Sequence, residues 1–386
     1  MHKKIIILQR ILPHYRTGFF KRLKAIYPSL KVLYGNPFKR EVLKNADKLD
    51  SDIFQKTSNY YFQKEGKVFF SSIYKILIKE KPDIVVSVFN VGNLNLYFLF
   101  LLRSLLKFKL VLWSLGYDHL TGFDPGKNFL HKIRLILSQK ADAVIFYWKY
   151  GKDVVEKFSK KKSHYFVAQN TIDTTMHFDL KSKFDMLGKD KIKKELGIED
   201  KINFIYIGRL VPDKEVDVLL KAYSLFEKKY GDCRLTIIGD GPEREKLEYL
   251  KSNHEITGAF FLGEILDVET TGKWLYISDA LIMPGRLGNS VVHSFCYGTP
   301  VISTNKGEFF HCEGISYLKE GVNGFLANDR DPDDLCGKMY KLISDEEQLI
   351  NLRKNAFKTA KEECSLEKML EGFREAIEVT GKDIKS

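Results

Sequence analysis

Short, almost wholly apolar runs alternate along this chain with longer stretches whose apolar residues recur every three or four positions. IIIL at 5–8, IVVSV at 84–88 and NFIYI at 203–207 are runs of the kind that fit strands buried on both faces of a parallel sheet. The stretches between them fit crossover helices. In the first half the pattern predicts strands over 4–8, 31–34, 84–88, 110–113, 143–147 and 165–168, and helices over 19–27, 68–79, 94–106, 129–138 and 151–158. Residues 38–66 are polar, aromatic and weakly periodic, and read as loop with short pieces of strand. In the second half it predicts strands over 203–207, 234–238, 259–262, 280–283 and 301–303, then a tight turn at 320–324 before an apolar pair at 325–326. Helices are expected there over 191–196, 215–229, 243–251, 267–276, 291–297, 331–343 and 366–379. Such alternation throughout means α/β architecture with doubly wound parallel sheets.

At 386 residues the chain exceeds the usual size of one core, so two domains are expected. Their expected extents are 1–173 and 190–363, joined by an aperiodic linker at 174–189. A final segment, 364–386, carries a helix long enough to reach back toward the first domain. Hydrophobic residues at 44% and charged residues at 29% exclude a disordered or fibrous chain. The apolar run at 5–8 is too short for a signal peptide and is closed by Gln9 and Arg10. The most apolar window, 94–106, is 13 residues long and contains Arg103, short of the roughly 20 residues a membrane span needs. It reads as a buried crossover helix whose end, with Lys107, Phe108 and Lys109, is a candidate for touching a membrane surface.

Charge separates the two halves. Residues 1–180 hold 31 Lys and Arg against 14 Asp and Glu, whereas 181–386 hold 31 against 36. The basic half suits an anionic membrane surface or a phosphate-bearing substrate. No nucleic-acid module or repeated basic-aromatic pattern appears, so nucleic acid is not expected as a partner. Five cysteines, all in the second half, show neither C-x-x-C nor a Cys/His ligand spacing. They imply a reducing cytoplasm and no metal site, with the inner face of the membrane as the place of any lipid contact.

The stretch 278–305 reads as strand, glycine loop, helix and strand. Its Gly288, Asn289 and Ser290 stand where a helix starts, a place of unpaired amides that suits a phosphate. An ordinary strand-to-helix turn would look the same. Three neighbouring turns shift the weight toward a ligand. Gly208 is followed by Arg209 and Lys214, a guanidinium fork and a second cation such as a diphosphate takes. Gly239 and Gly241 repeat the form in the next turn, and Gly263 in the third, followed by Glu264 and Ile265. Four glycine turns at the carboxyl ends of successive strands describe one edge of a sheet suited to a nucleotide. In the first half the loop after the first strand offers Arg10, His14 and Arg16, and the long loop after 110–113 offers Gly116, Tyr117, Asp118 and His119. A solvated basic or polar surface explains either group as readily.

The second half resembles the donor-binding domain of the family 4 glycosyltransferases, of GT-B fold, through IGRLVPDKEVDVLLKAY, LTIIGDGPEREKLE, FFLGEI, SDALIMPG with SVVHSFCYGTPVI, and EGVNGFL, in order over 204–335. The first half matches through its opening strand and loop, VLWSLGYD, ADAVIFY and VAQNTID. The resemblance implies two Rossmann-like domains facing a cleft, and transfer of a sugar from a nucleoside-diphosphate sugar to a hydroxyl acceptor, with retention of configuration. It implies that Arg209 and Lys214 hold the diphosphate, that the turn after Gly263 reads the base through backbone groups, and that residues 288–290 present amides to phosphate. The residue at 293 would face the ribose. No metal or other cofactor would be needed, the nucleotide sugar being a substrate. The acceptor, a lipid-linked saccharide or surface-polymer precursor, would meet the first domain through Arg10, His14, Arg16, Gly116 and Tyr117.

Two positions depart from the family pattern. Many members carry glutamates at the positions of Gly285 and His293, and Gly285 leaves Arg286 as the nearest polar neighbour. Leu115 stands where a histidine often precedes the glycine, so Asp118 and His119, with His293, become the candidate catalytic residues. Asp329-Arg330-Asp331 resembles the metal-binding Asp-x-Asp of the other large glycosyltransferase fold, but Pro332 behind it makes helix capping the better explanation. Two rival readings share the architecture: a nucleotide-sugar epimerase, and a subunit that binds the nucleotide sugar without turning it over.

Overall fold

The computed structural model describes residues 3–39, 44–62, 68–119, 121–161, 164–198, 201–307 and 309–382. The chain divides into two compact units, Met1–Asp173 with Leu366–Ser386, and Thr174–Ser365.

The first unit runs β1 (Ile5–Gln9), α1 (Thr17–Ile26), β2 (Lys31–Tyr34), β3 (Phe54–Lys56), β4 (Asn59–Tyr61), β5 (Phe69–Ser71), α2 (Tyr74–Glu80), β6 (Ile84–Val88), α3 (Leu94–Leu106), β7 (Lys109–Ser114), α4 (Phe129–Lys140), β8 (Ala143–Phe146), α5 (Lys149–Glu156) and β9 (Tyr165–Val167). Seven strands form a parallel sheet in the order β3-β2-β1-β6-β7-β8-β9. All five residues of β1 are buried, as a central strand covered on both faces requires. Phe19, Phe20 and Leu23 cover one face together with Phe373 and Ile377 of the last helix. Leu77, Leu96, Leu99 and Leu137 from α2, α3 and α4 cover the other.

The helix expected over 68–79 is two elements. Phe69–Ser71 pairs antiparallel with Asn59–Tyr61, and the helix starts only at Tyr74. The cause lies elsewhere in the chain: the buried side chain of Asn95 accepts the Ser71 amide and donates to the Ser71 carbonyl, at 2.6 and 2.7 Å, which holds that backbone extended.

The second unit contains α6 (Thr175–Leu187), α7 (Lys189–Glu195), β10 (Ile202–Ile207), α8 (Val216–Tyr230), β11 (Cys233–Ile238), α9 (Arg244–Asn253), β12 (Ala259–Gly263), α10 (Val268–Ile277), β13 (Ala280–Ile282), α11 (Ser290–Cys296), β14 (Val301–Thr304), β15 (Gly324–Ala327), α12 (Pro332–Ile343) and α13 (Glu346–Glu363). Its six-stranded parallel sheet has the order β12-β11-β10-β13-β14-β15. The stretch expected as a linker, 174–189, is mostly α6. That helix buries His177 and Phe184, seven positions apart on one side, with the Phe184 ring against Tyr276 and Tyr297. A polar histidine as an inward residue is what hides its period. The final helix, α14 (Leu366–Lys382), lies in the first unit, where Gly372 sits so close to the Val167 carbonyl that a Cβ would lie 2.0 Å from its oxygen. Among the described residues no helix is long and apolar enough to cross a membrane.

Candidate functional site

The strands β12, β11, β10 and β13 are neighbours in the second sheet, so the turns carrying Gly263, Gly239, Gly208 and Gly285 line one edge of it. These turns bind each other before any ligand is considered. The Gly208 amide donates to the Ile238 carbonyl at 3.0 Å, the Gly239 amide to the Gly263 carbonyl at 2.8 Å, and the Leu210 amide to the Asp240 carbonyl at 2.9 Å. A Cβ on Gly239 would lie 1.9 Å from the Gly208 carbonyl oxygen, and one on Gly241 2.3 Å from that of Leu210. Glycine at 239 and 241 is therefore demanded by backbone packed on backbone, a reason distinct from the close approach of a ligand. In the loop after β12, Glu264 is exposed and Ile265 half-buried. A hollow of about 520 Å³ lined by Lys201, Arg234 and Phe260 lies at the opposite edge of the sheet, away from these turns.

The turn after β10 and the turn after β13 are joined by three hydrogen bonds. The Gly285 amide donates to the Lys214 carbonyl at 3.2 Å, and the Arg286 amide to the Asp213 carbonyl at 2.8 Å. In return the Lys214 ammonium donates to the Arg286 carbonyl. At position 285 a Cβ would fall 2.3 Å from the Lys214 carbonyl carbon, so this backbone has no room for the glutamate that the family resemblance led one to look for. Arg286 lies beside this junction, its guanidinium 3.7 Å from the Asp213 carboxylate. Burial lowers the pKa of Lys214, partly countered by the neighbouring Cys312 and Asp213. Arg209 is exposed and its guanidinium has no partner among the described residues, while its carbonyl accepts the Tyr206 hydroxyl at 2.9 Å.

A histidine that the sequence did not single out fastens the following loop. His311 accepts the Leu287 amide at Nδ1 (3.2 Å) and lies 2.9 Å from the Thr304 carbonyl through Nε2, which fixes the proton on Nε2. Burial holds its pKa down to about 4. The hydroxyls of Ser303 and Thr304 donate to the Met283 and Pro284 carbonyls, at 2.8 and 2.6 Å, tying the end of β13 to β14. Within the loop so held, no heavy atom of the described residues, apart from the chain neighbours, lies within 4 Å of where a Gly288 Cβ would be. The Gly288 and Asn289 amides donate to no acceptor among the described residues. The Ser290 hydroxyl sits 3.3 Å from the Met283 sulfur.

His293 packs its ring edge against His177 with centroids 4.8 Å apart, and His177 Nδ1 lies 3.0 Å from the Tyr297 hydroxyl. Burial, reinforced by His177, takes the His293 pKa down to about 3, so the ring is neutral near pH 7 and keeps one donor and one acceptor. Beside Lys214, Glu215 holds a left-handed backbone (φ +51°) that a non-glycine residue rarely adopts. Its carboxylate is 3% exposed and accepts Lys306 at 2.5 Å and Arg330 at 2.9 Å. Lys306 also reaches Asp329 at 3.3 Å. Asp331 caps α12 by accepting the Asp334 amide at 3.0 Å, so the Asp-Arg-Asp run serves an ion cluster and a helix start.

The first-unit candidates divide. Arg16 is buried, its guanidinium 4.2 Å from the Trp113 ring centroid and 5.3 Å from that of Tyr147, so it belongs to the core and not to a basic surface. His14 is exposed, and Arg10 reaches the Tyr61 hydroxyl at 3.4 Å. Gly116, at φ +96°, donates its amide to the Ser114 hydroxyl oxygen at 2.9 Å and backs onto the Gly151 carbonyl. Tyr117 is buried beside Trp148 and Tyr150. Asp118 is engaged in its own turn: its carboxylate accepts the Thr121 amide and hydroxyl at 3.1 and 3.2 Å. That hydroxyl lies 3.3 Å from Nε2 of the buried His131, whose Nδ1 accepts the Asp124 amide at 3.0 Å. His119, partly exposed, follows in the same loop. Asp118 and His119 thus stand in the first unit and His293 in the second.

A family model described as "Glycosyl transferases group 1" matches residues 188–359, which takes in all of the second-unit turns described above. An uncharacterized glycosyltransferase of Methanocaldococcus jannaschii is 28% identical over 206 residues, covering 51% of this chain and 50% of that protein. The sulfoquinovosyl transferase SQD2 of Arabidopsis thaliana is 30% identical over 162 residues, 41% of this chain and 29% of that one. The match thus spans about half the length, or less, of these curated relatives. Among solved structures, Alr3699/HepE of Anabaena in complex with UDP superposes with a TM-score of 0.72 at 17% identity, over 97% of this chain and 99% of that one. Its complex with UDP-glucose gives 0.70 at 16%, over 98% and 100%. At such identity the likeness shows the fold, two Rossmann-like α/β halves as in GT-B glycosyltransferases.

Proposed function

We propose that this chain, whose residues 188–359 match the family model of the glycosyl transferases group 1, transfers a sugar from a nucleoside-diphosphate sugar to a hydroxyl acceptor. The observation that carries this is the junction of the Lys214 and Arg286 turns: along one sheet edge it gathers the Lys214 ammonium, the Arg209 guanidinium and the loop with the Gly288 and Asn289 amides, the last three without partners among the described residues. A diphosphate bound there meets cations and amides already fixed by the fold. Preorganised donors of this kind stabilise the negative charge that grows on the departing diphosphate, and each commonly contributes about 10²- to 10³-fold in rate. No divalent ion is required by such a scheme. The neutral His293 imidazole takes the place of a glutamate toward the ribose, as a donor or acceptor without charge.

Similar proteins support a nucleotide-sugar donor: SQD2 is a sulfoquinovosyl transferase, and the Anabaena protein has been solved with UDP-glucose. The acceptor, a glycolipid or surface-polymer precursor, is held by the basic first unit, with Arg10 and His14 on its loop and Asp118 or His119 as the polar groups nearest the acceptor hydroxyl. Transfer proceeds with retention, in a reducing cytoplasm where the five cysteines stay free.

A thermal-shift panel of nucleotide sugars tests the reading. A ligand at 100 times its Kd adds about 2.7 kcal/mol to apparent stability, so the true donor stands out. A panel in which no nucleotide sugar raises the melting temperature overturns the proposal. If the donor found is converted to its epimer in the absence of acceptor, epimerase chemistry replaces transfer.

A further inference from the structure

Three helices on one face of the first unit turn apolar side chains away from the sheet they cover. While α2, α3 and α4 pack inward through Leu77, Leu96, Leu99 and Leu137, the outer side of α3 carries Phe98, Leu101 and Leu105, exposed by 49%, 71% and 76%. Their spacing of three and four residues makes them one ridge along the helix. α4 opens with Phe129 and Leu130, exposed by 74% and 53%. The three helices cover the same face of the sheet. The Phe98 ring lies 6.1 Å from that of Tyr74 on α2, and Arg103 near the end of α3 donates to the Lys140 carbonyl at the end of α4 at 2.9 Å. Large apolar side chains gathered like this on a surface mark a contact with something other than water.

Charge narrows the choice of occupant. Lys75, Lys79, Lys107, Lys132 and Lys140, on these helices or capping them, are exposed. The single carboxylate in the three helices, Glu80, is already held by Lys4 and Lys31 at 2.7 and 2.9 Å, and its pKa is lowered to about 2 by those two bonds. A second copy of this chain docking face to face would set two such cationic surfaces against each other. The outer side of α3 offers little for directional recognition, since the Tyr97 hydroxyl is spent on the Val91 carbonyl at 2.9 Å. A lipid surface needs no directional match, only apolar side chains to enter and cations to meet phosphates.

We propose that the outer face of α2, α3 and α4 docks the protein on an anionic lipid bilayer, lying in the interface without crossing it. Phe98, Leu101, Leu105, Phe129 and Leu130 enter the headgroup boundary, and the lysines at the helix ends and flanks bind lipid phosphates. This inference is independent of the donor site, which lies in the other unit.

Co-sedimentation of the full chain with vesicles tests it, using phosphatidylcholine alone and phosphatidylcholine mixed with phosphatidylglycerol. The protein is expected to pellet with the mixed vesicles and to bind phosphatidylcholine alone about tenfold more weakly or less, with binding that weakens as salt is added. The double variant Leu101→Glu, Leu105→Glu should lose about tenfold or more in binding to the mixed vesicles, and so should Lys107→Glu with Lys132→Glu. These residues are exposed, so circular dichroism melts should match the parent, and the nucleotide-sugar thermal shift should persist. Three results overturn the proposal: no binding to anionic vesicles; binding that survives the leucine substitutions, which reduces the effect to diffuse charge; or a solution dimer that the same substitutions dissociate, which makes a second copy the occupant.

Discussion

The Lys214 ammonium donates to the main-chain carbonyl of Arg286, 72 positions further along the chain, and so joins the turn after β10 to the turn after β13. Its burial lowers its pKa, which means that the fold spends free energy to keep an ammonium there. Exchanging a desolvated charge for an apolar group of similar shape is often neutral or stabilising. Lys214→Met should therefore leave stability within about 1 kcal/mol of the parent while weakening donor binding at least about tenfold, or ~1.4 kcal/mol. Calorimetric titration beside thermal melts separates the two effects. Arg209→Ala, at an exposed residue, should abolish the donor-induced shift without moving the melt of the free protein, because a charged hydrogen bond contributes about 1.5–3 kcal/mol. An unchanged shift would return Arg209 to the general surface.

Gly285 and Gly288 lie three residues apart and should respond oppositely to the same substitution. A Cβ at 285 meets the Lys214 backbone at 2.3 Å, whereas at 288 nothing among the described residues beyond the chain neighbours lies within 4 Å. Neither turn can yield without breaking the bonds between 213–214 and 285–286, so Gly285→Ala should cost about 1–3 kcal/mol as overpacking. Gly288→Ala should stay within about 0.5 kcal/mol but weaken donor binding, since its methyl group enters the open side of the loop. Urea denaturation of both variants decides this, and equal stabilities would count against the backbone contact.

The pH dependence of stability should carry a signature of His311. The ring works only when neutral, accepting from Leu287 and donating to Thr304, and its pKa falls from 6.5 to about 4 on burial. Between those values the unfolded chain takes up a proton that the folded one refuses. Stability is thus undiminished above about pH 6.5 and declines as pH falls toward 4, by up to ~1.4 kcal/mol per pH unit. His311→Gln removes this titration. The parent's advantage over the variant should shrink by about 2 kcal/mol between pH 7 and 4.5, read from urea midpoints; parallel curves would refute it.

Arg16 and His14 share a loop and have different fates. With its guanidinium over Trp113 at 4.2 Å, Arg16 is core, while His14 is exposed. Arg16→Ala should destabilise by about 1–2 kcal/mol through lost stacking and packing, and His14→Ala by less than about 0.5 kcal/mol. A denaturant series on the two variants that ranked them the other way would remove Arg16 from the core.

The division of labour between sequence and tertiary structure is visible in these same residues. Runs such as 5–8 and 203–207 are apolar at successive positions because both faces of a parallel strand are covered, and that property is local enough to be read along the chain. So is the glycine loop before α11, since a helix start exposes amides wherever it occurs. Period alone misread 68–79 and 174–189, because Asn95 holds Phe69–Ser71 extended from 24 residues away and because α6 turns a histidine inward. The sequence by itself determined the alternation of strands and helices, the two-part organisation it implies and the edge on which the glycine turns fall. Only the tertiary structure decided why position 285 excludes a side chain, that Arg16 is core, and that His311 pins the loop before α11. Each of those depends on which distant backbone or ring arrives beside the residue, and burial and partner choice are set by contacts that no local period encodes.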